Sequence, residues 1–63
     1  MRQNLKNARL NAKMTQQSVA DEIHVSLRYY QQLEAGDRNG NFDVWDKLEN
    51  ITGVHQKILR ENR

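Results

Sequence analysis

With 63 residues, of which 37% are apolar, the chain can bury one small core, and we expect a single domain over residues 1–63. It contains no cysteine, which excludes a disulfide framework and a thiolate metal site. Its apolar runs are far shorter than the ~20 residues of a membrane span, and its N-terminal segment is too polar for a signal peptide. We therefore expect a soluble cytoplasmic protein without a membrane segment.

The formal net charge of +2 is unevenly distributed along the chain. Residues 1–20 contain four basic side chains and no acidic one, for a net charge of +4, whereas residues 21–63 contain six basic and eight acidic side chains, for a net charge of −2. A positive end that faces a phosphate backbone would produce this pattern, and so would an ordinary solvated surface. The charge distribution alone favours neither.

The apolar periodicity predicts an all-α domain of five short helices. In the first helix, Leu5, Ala8 and Ala12 share one face. Towards the C-terminus, Asn41 is suited to cap a helix that Gly53 ends. No proline occurs in the chain to interrupt a helix. The predicted helices span residues 2–13, 16–23, 26–35, 42–52 and 54–61.

Residues 15–36 are predicted to form two helices joined by a tight corner. Thr15 and Ser26 are both suited to be N-caps, and the apolar pattern of the first of these helices breaks at His24. Gly36 is suited to end the second helix in a left-handed conformation. This stretch is the centre of the predicted fold.

The second of these two helices carries a polar face. Leu27, Arg28, Gln31 and Gln32 are related as i, i+1, i+4 and i+5, and therefore lie on the side away from the apolar residues. Most side chains on this face are long and can form hydrogen bonds, and none of them is acidic. A helix face of this composition fits a DNA major groove.

One set of residues has a joint spacing that is more specific than any of its members. The set comprises Leu5, Lys6, Arg9, Met14, Thr15, Gln16, Val19, Ala20, Ile23, Val25, Ser26, Leu33, Glu34, Gly36, Arg38, Asn39, Leu48, Gly53 and Val54. By this spacing, over about residues 5–59, the chain resembles the Cro/repressor-type helix-turn-helix family, also called the XRE or lambda-repressor-like group. The resemblance implies a compact five-helix lambda-repressor-like DNA-binding domain with a central helix-turn-helix at residues 15–36.

The resemblance also implies a sequence-specific transcriptional regulator that binds double-stranded DNA, a repressor of phage or mobile-element type. It places the helix at residues 26–35 in the major groove, with three side chains facing base edges. Arg28 suits guanine O6 and N7, Gln32 suits adenine N6 and N7, and Leu27 suits a thymine methyl. Gln31 is expected at the edge of the groove. Phosphate contacts are expected from Gln16, Ser26, Tyr29, Arg38, Asn39 and Asn41.

The family pattern further implies an ion pair between Arg9 and Glu34, which joins the first and third helices. We expect a partly buried, bidentate bond between the guanidinium and the carboxylate. If the pair is deeply buried, the loss of one partner costs ~3–5 kcal/mol. The alternative is a solvated pair that contributes little.

Three residues depart from the family's pattern. Glycine is usual at the corner of the helix-turn-helix, where φ is positive, and this chain has His24, a residue enriched at positive φ. Lys13 likewise stands where glycine is common. Tyr30 occupies a position that is usually aliphatic, so its hydroxyl is expected to reach solvent or a hydrogen-bond partner.

The chemistry of an enzyme or a metal site is not visible in the sequence. His24 and His55 are the only soft ligand candidates, and no cysteine or carboxylate pattern accompanies them. Nothing resembles a nucleophile with its base, or a glycine-rich phosphate loop. We expect no enzyme activity, no metal, no cofactor and no small-molecule ligand.

Two alternatives remain open. A lone domain makes few phosphate contacts and family members usually bind as dimers, so Val54, Ile58 and Leu59 either form a homodimer interface or close the core. Secondly, the scaffold can serve as a protein-binding module, such as an antirepressor or inhibitor, without DNA readout. Such a module would be expected to lose the polar face and Gln16 or Arg38, and the chain retains all of these.

Overall fold

The computed structural model describes residues 1–62, and in this part of the chain all regular structure is helical. The predicted all-α fold with five helices is confirmed. None of these helices has the length and apolar character of a transmembrane segment. The helices are α1 (Gln3–Asn11), α2 (Gln16–Glu22), α3 (Leu27–Ala35), α4 (Phe42–Thr52) and α5 (Gln56–Leu59).

Local sequence signals set most of the helix ends. The side-chain oxygens of Thr15, Ser26 and Asn41 each accept a hydrogen bond from the amide three residues later, at 3.0 Å. These bonds satisfy amides that the first turns of α2, α3 and α4 leave unpaired. Gly36 and Gly53 end α3 and α4 at φ values of 91° and 72°, which only glycine adopts without strain.

Four of the five helices are shorter than predicted. α2 ends one residue before the predicted Ile23, and α3 begins one residue after the predicted Ser26. α1 covers nine residues within the predicted range 2–13. α5 covers four residues within the predicted range 54–61. The ring nitrogen Nδ1 of His55 accepts a hydrogen bond from the amide of Lys57 at 3.0 Å, so the side chain caps the helix and residues 54–55 lie outside it.

The core lies where the helices meet. α2 packs chiefly against α3, whereas α1 contacts α3, α4 and α5. Ala20 is fully buried in this packing, as expected for a small residue where two helices cross closely. The buried apolar residues are Leu5, Ala8, Val19, Ala20, Ile23, Tyr30, Leu33, Val44, Trp45, Leu48 and Leu59.

Two turns of the backbone are strained. Lys13 and His24 have φ values of 59° and 60°, in the left-handed region that glycine adopts most readily. A residue with a Cβ atom pays about 1–2 kcal/mol there. The prediction of a positive φ at the corner of the helix-turn-helix is therefore confirmed, and the strain is real in this chain.

The prediction for the Tyr30 hydroxyl is wrong. The side chain is fully buried in the core, and its hydroxyl forms no hydrogen bond within residues 1–62. Burial raises the pKa of Tyr30, because ionisation would place a charge in the core, and the nearby Glu34 carboxylate raises it further. The ring is accommodated in the core, but within residues 1–62 its hydroxyl is left without a hydrogen-bond partner.

Candidate nucleic-acid interface

α3 has two opposite faces. Its inner face consists of Tyr30, Leu33 and Glu34, which are all buried. We define its outer face as the four residues of the polar stripe. On this outer face two side chains are exposed and two are half-buried, so the predicted face does point away from the core. The exposed ones are Arg28 and Gln31, and the half-buried ones are Leu27 and Gln32.

Arg28 stands out on the outer face because no residue in the described part of the chain engages its side chain. Its side chain is exposed, and it forms no hydrogen bond or ion pair within the described residues 1–62. It lies one residue after the start of α3, close to the cap residue Ser26. The guanidinium therefore keeps all five of its N–H donors for a ligand.

The buried Arg9–Glu34 pair ties α1 to the inner face of α3. Arg9 Nε donates to Glu34 Oε2 at 2.7 Å, and Arg9 Nη2 donates to Glu34 Oε1 at 3.3 Å. The two side chains are only 9% and 3% exposed, and the hydrogen bond to Glu34 raises the pKa of Arg9. Arg9 Nη1 also donates to the carbonyl of Met14 at 3.0 Å. The structure thus brings the two residues together in a buried, bidentate contact.

A chain of glutamines extends from this pair to the surface. Gln16 Nε2 donates to Glu34 Oε1 at 3.3 Å, and Gln31 Nε2 donates to Gln16 Oε1 at 3.3 Å. Gln16 is half-buried at the first position of α2. The buried carboxylate therefore holds Gln16, and Gln16 in turn contacts Gln31 on the outer face of α3.

Arg38 follows α3 in the chain and folds back onto it. Its Nε donates to Gln32 Oε1 at 2.7 Å, and its guanidinium carbon lies 5.3 Å from the centroid of the Tyr29 ring. This contact leaves a shallow pocket of about 440 Å³ beside α3. The pocket is lined by Tyr29, Gln32, Asp37, Arg38, Asn39 and Gly40.

The loop at residues 37–41 holds the remaining predicted phosphate contacts. The Asn39 side chain is exposed and makes no hydrogen bond within the described residues, although its backbone carbonyl accepts from Trp45 Nε1 at 2.8 Å. The side-chain oxygen of Asn41 already caps α4, and the hydroxyl oxygen of Ser26 already caps α3. Asn41 and Ser26 keep their donor groups, but not their full hydrogen-bonding capacity.

Arg2 is a structural residue that the sequence analysis missed. It is only 4% exposed, and its guanidinium donates to the carbonyls of Leu33 at 2.7 Å, of Arg38 at 2.6 Å and of Arg60 at 3.2 Å. It also lies 5.2 Å from the centroid of the Trp45 ring. Burial lowers the pKa of Arg2. Its partners are backbone groups distant in the chain, which no local pattern marks.

The burial of Arg2 changes the meaning of the charge asymmetry. Of the four basic residues in positions 1–20, Arg2 and Arg9 are used inside the protein. Only Lys6 and Lys13 are left toward the surface, half-buried and exposed respectively. The N-terminal excess of positive charge is therefore not, as a whole, a phosphate-facing surface.

The residues considered for dimerisation divide between core and surface. Leu59 is fully buried and Val54 is half-buried against the core, whereas Ile58 is 47% exposed. Phe42 is 77% exposed, and the Arg60 guanidinium lies 5.7 Å from the centroid of its ring. Leu59 thus closes the core of the single chain, and Ile58 and Phe42 are the large apolar side chains that the C-terminal half exposes.

Metal-binding geometry is not found in the described part of the chain. Within residues 1–62, no three or more His, Cys, Asp and Glu side chains are grouped so that they could hold a metal ion.

Two short helices with a tight corner, the second of which exposes long polar side chains, define a helix-turn-helix DNA-binding domain. The helix-turn-helix family model HTH_3 matches residues 5–55, and the chain belongs to this family, of the Cro/XRE type. Members are DNA-binding regulators, and the family is not an enzymatic one. No curated protein and no solved structure matches the chain.

Proposed function

We propose that the protein is a sequence-specific transcriptional regulator of double-stranded DNA, a repressor of phage or mobile-element type that acts in the cytoplasm. The observation that carries this proposal is the outer face of α3, where the exposed Arg28 has no partner within residues 1–62. A major groove is wide enough to admit α3. The simplest regulation that such a domain offers is repression by occupancy of its site.

The outer face supplies the base contacts. Arg28 donates to O6 and N7 of a guanine, a contact that gives about 1–3 kcal/mol of discrimination against other bases. Leu27 offers apolar contact to a thymine methyl. Gln31 lies at the edge of the groove, where its hydrogen bond to Gln16 limits its reach. Gln32, whose side chain is hydrogen-bonded to Arg38, contacts a further base.

The phosphate contacts surround this face on both sides of α3. What supports them is that each residue keeps at least one donor after its internal bonds are counted. Gln16 keeps one amide hydrogen after it donates to Glu34, and Arg38 keeps the hydrogens of Nη1 and Nη2 after it donates to Gln32. The proposed set is Gln16, Ser26, Tyr29, Arg38, Asn39 and Asn41.

A homodimer is part of the proposal. Two copies on half-sites about 34–36 Å apart double the number of phosphate contacts. Since Leu59 belongs to the core, an interface at α5 relies on Ile58, with Val54 at its border. Sedimentation of the wild type and of Ile58→Glu, each with a duplex that carries two half-sites, tests this interface.

The experiment that tests the function is selection of bound duplexes from a random pool, followed by affinity measurements at several salt concentrations. We expect one enriched sequence and a logarithm of affinity that falls linearly with the logarithm of salt, by about 0.9 for each phosphate that a lysine or arginine neutralises. Gln16→Ala is expected to weaken binding to all duplexes and to leave the slope unchanged, because a neutral amide neutralises no phosphate charge. Affinity that does not depend on salt, together with no enriched sequence, would contradict the proposal and favour a protein-binding module.

A further inference from the structure

The contact between Arg38 and Gln32 determines how the Gln32 amide is oriented. A guanidinium can only donate hydrogen bonds, so the amide atom that faces Arg38 Nε at 2.7 Å must be the carbonyl oxygen Oε1. The Nε2 group, with its two donor hydrogens, therefore points away from Arg38. Gln32 has no other side-chain hydrogen bond within residues 1–62.

Arg38 is itself held on several sides before any ligand binds. Its guanidinium lies over the Tyr29 ring at 5.3 Å, and its backbone carbonyl accepts from the buried Arg2 guanidinium at 2.6 Å. The next carbonyl, that of Asn39, accepts from Trp45 Nε1 at 2.8 Å. Two successive peptide groups of the loop are thus bound to the core, and the Gln32 amide meets a positioned partner.

This orientation bears on which base Gln32 can read. To read adenine in a bidentate manner, a glutamine accepts from N6 with its oxygen and donates to N7 with its nitrogen. Here the oxygen already accepts from a cationic donor. An adenine amino group brought to the same oxygen would lie beside the guanidinium, and the like partial charges repel each other. Guanine presents two acceptors, N7 and O6, which suit the two free hydrogens of Nε2.

We propose that Arg38 is a positioning residue for base recognition, which orients Gln32 so that it reads guanine and not adenine. This inference rests on the proposed function. Arg38 keeps its Nη donors while Nε is bound to Gln32. The same side chain therefore contacts a phosphate and orients the neighbouring base reader.

Arg38→Met tests the inference because it keeps an unbranched stem for the Tyr29 ring and removes the donor. The base pair that Gln32 contacts is located first. It is the position, or step, of the selected duplex at which Gln32→Ala loses its base preference. At this step we expect the wild type to favour guanine over adenine by about fivefold or more. Arg38→Met is expected to abolish or reverse that ratio and to leave the preferences at all other steps unchanged.

Two matched variants separate orientation from phosphate contact. Arg38→Lys keeps a positive charge and N–H donors that can face Gln32 Oε1, so it is expected to retain part of the guanine preference that Arg38→Met loses, with a smaller loss of affinity. Asn39→Ala, in the same loop, is expected to weaken binding to all duplexes equally. Thermal melting followed by circular dichroism verifies that each variant is folded, which we expect because the side chains of Arg38 and Asn39 are exposed.

The outcomes distinguish this inference from the proposed function. An unchanged ratio of guanine to adenine in Arg38→Met, with a uniform loss of affinity, would overturn the inference and leave Arg38 as a phosphate contact. A wild-type preference for adenine at the Gln32 step would also overturn it. If the wild type selects no sequence from the pool, the proposed function fails and the inference fails with it.

Discussion

The two faces of α3 differ in whether their charged side chains have partners within the described part of the protein. On the inner face, the Glu34 carboxylate accepts hydrogen bonds from Arg9 and Gln16 and is only 3% exposed. On the outer face, Arg28 is exposed and without a partner in the described residues. One helix of nine residues therefore carries one charge that is used within the fold and one that is available to a ligand.

The same contrast separates two arginines that look alike in the sequence. Arg9 donates to a carboxylate and to a backbone carbonyl, so a ligand that engaged it would have to break buried bonds. Arg28 has no partner among residues 1–62, so a base would replace solvent at its guanidinium, and this exchange costs little. Under the proposed function, the arginine that is available to DNA is the one that the described fold leaves unpaired, whatever the density of positive charge along the chain.

The largest expected effect comes from removing the ion pair between Arg9 and Glu34 on the inner face. Arg9→Met leaves the Glu34 carboxylate buried without its main partner, and we expect the free energy of unfolding to fall by about 3–5 kcal/mol. Urea denaturation followed by circular dichroism measures it. A double-mutant cycle with Glu34→Gln should show strong coupling, and negligible coupling would contradict a structural role for the pair.

Lys47→Ala is the matched control for that prediction. Lys47 pairs with Asp43 at 3.1 Å across one turn of α4, and the Asp43 side chain is 75% exposed. An exposed pair of this kind contributes about 0.3–0.5 kcal/mol. Equal losses in Arg9→Met and Lys47→Ala would show that burial does not set the contribution of the Arg9 pair.

The inner face has one unsatisfied polar atom, the hydroxyl oxygen of Tyr30. Tyr30→Phe deletes the buried hydroxyl that has no hydrogen-bond partner in residues 1–62, and we expect a gain of about 1 kcal/mol in the free energy of unfolding at neutral pH. Tyr29→Phe, which changes a half-buried neighbour, is the control and should alter stability little. No gain in Tyr30→Phe would mean that the hydroxyl is satisfied in solution.

The difference in stability between the wild type and Tyr30→Phe is expected to depend on pH. An unfolded tyrosine ionises near pH ~10, whereas the raised pKa of Tyr30 keeps the folded side chain protonated to higher pH. Above about pH 10 the folded state therefore binds more protons than the unfolded state, and the free energy of unfolding falls as pH rises. Tyr30→Phe lacks this contribution, so its advantage over the wild type should grow by up to about 1.4 kcal/mol per pH unit. A constant difference from pH 7 to pH 11 would contradict the burial.

The smallest expected effect concerns the corner at His24, which joins α2 to α3. His24→Gly relieves the positive φ, and after the entropy cost of glycine we expect a net gain of about 0.5–1 kcal/mol. His24→Ala keeps the strained backbone and should give no gain. An equal gain in both variants would assign the effect to the imidazole and not to φ.

Local signals made much of the fold predictable. Asn41 caps the N-terminus of α4 and Gly53 ends the helix, and the predicted range, 42–52, is the observed one. The corner at His24 and the two faces of α3 followed from helical periodicity and from caps that lie within a few residues of one another. These features depend on interactions that are short in sequence, so the sequence displays them directly.

The features that were missed depend on contacts between distant residues. Arg2 binds carbonyls at positions 33, 38 and 60, and the burial of a lysine or arginine by backbone groups has no sequence pattern. The contact between Arg38 and Gln32 likewise requires a folded loop, as does the enclosure of the Tyr30 hydroxyl. For the candidate site, the sequence predicted which residues share a face. It did not show which of their side chains form hydrogen bonds with other residues of the protein.

The central claim, that the outer face of α3 reads bases, is tested most directly by a cycle between Arg28→Ala and single base changes in the selected duplex. Affinities of wild type and variant, measured for each changed duplex, should reveal coupling at one guanine, of about 1–3 kcal/mol, and none at distant steps. The free energy of unfolding should be unchanged within about 0.5 kcal/mol, because Arg28 is exposed. Absence of coupling at every base pair, with binding otherwise intact, would contradict the account.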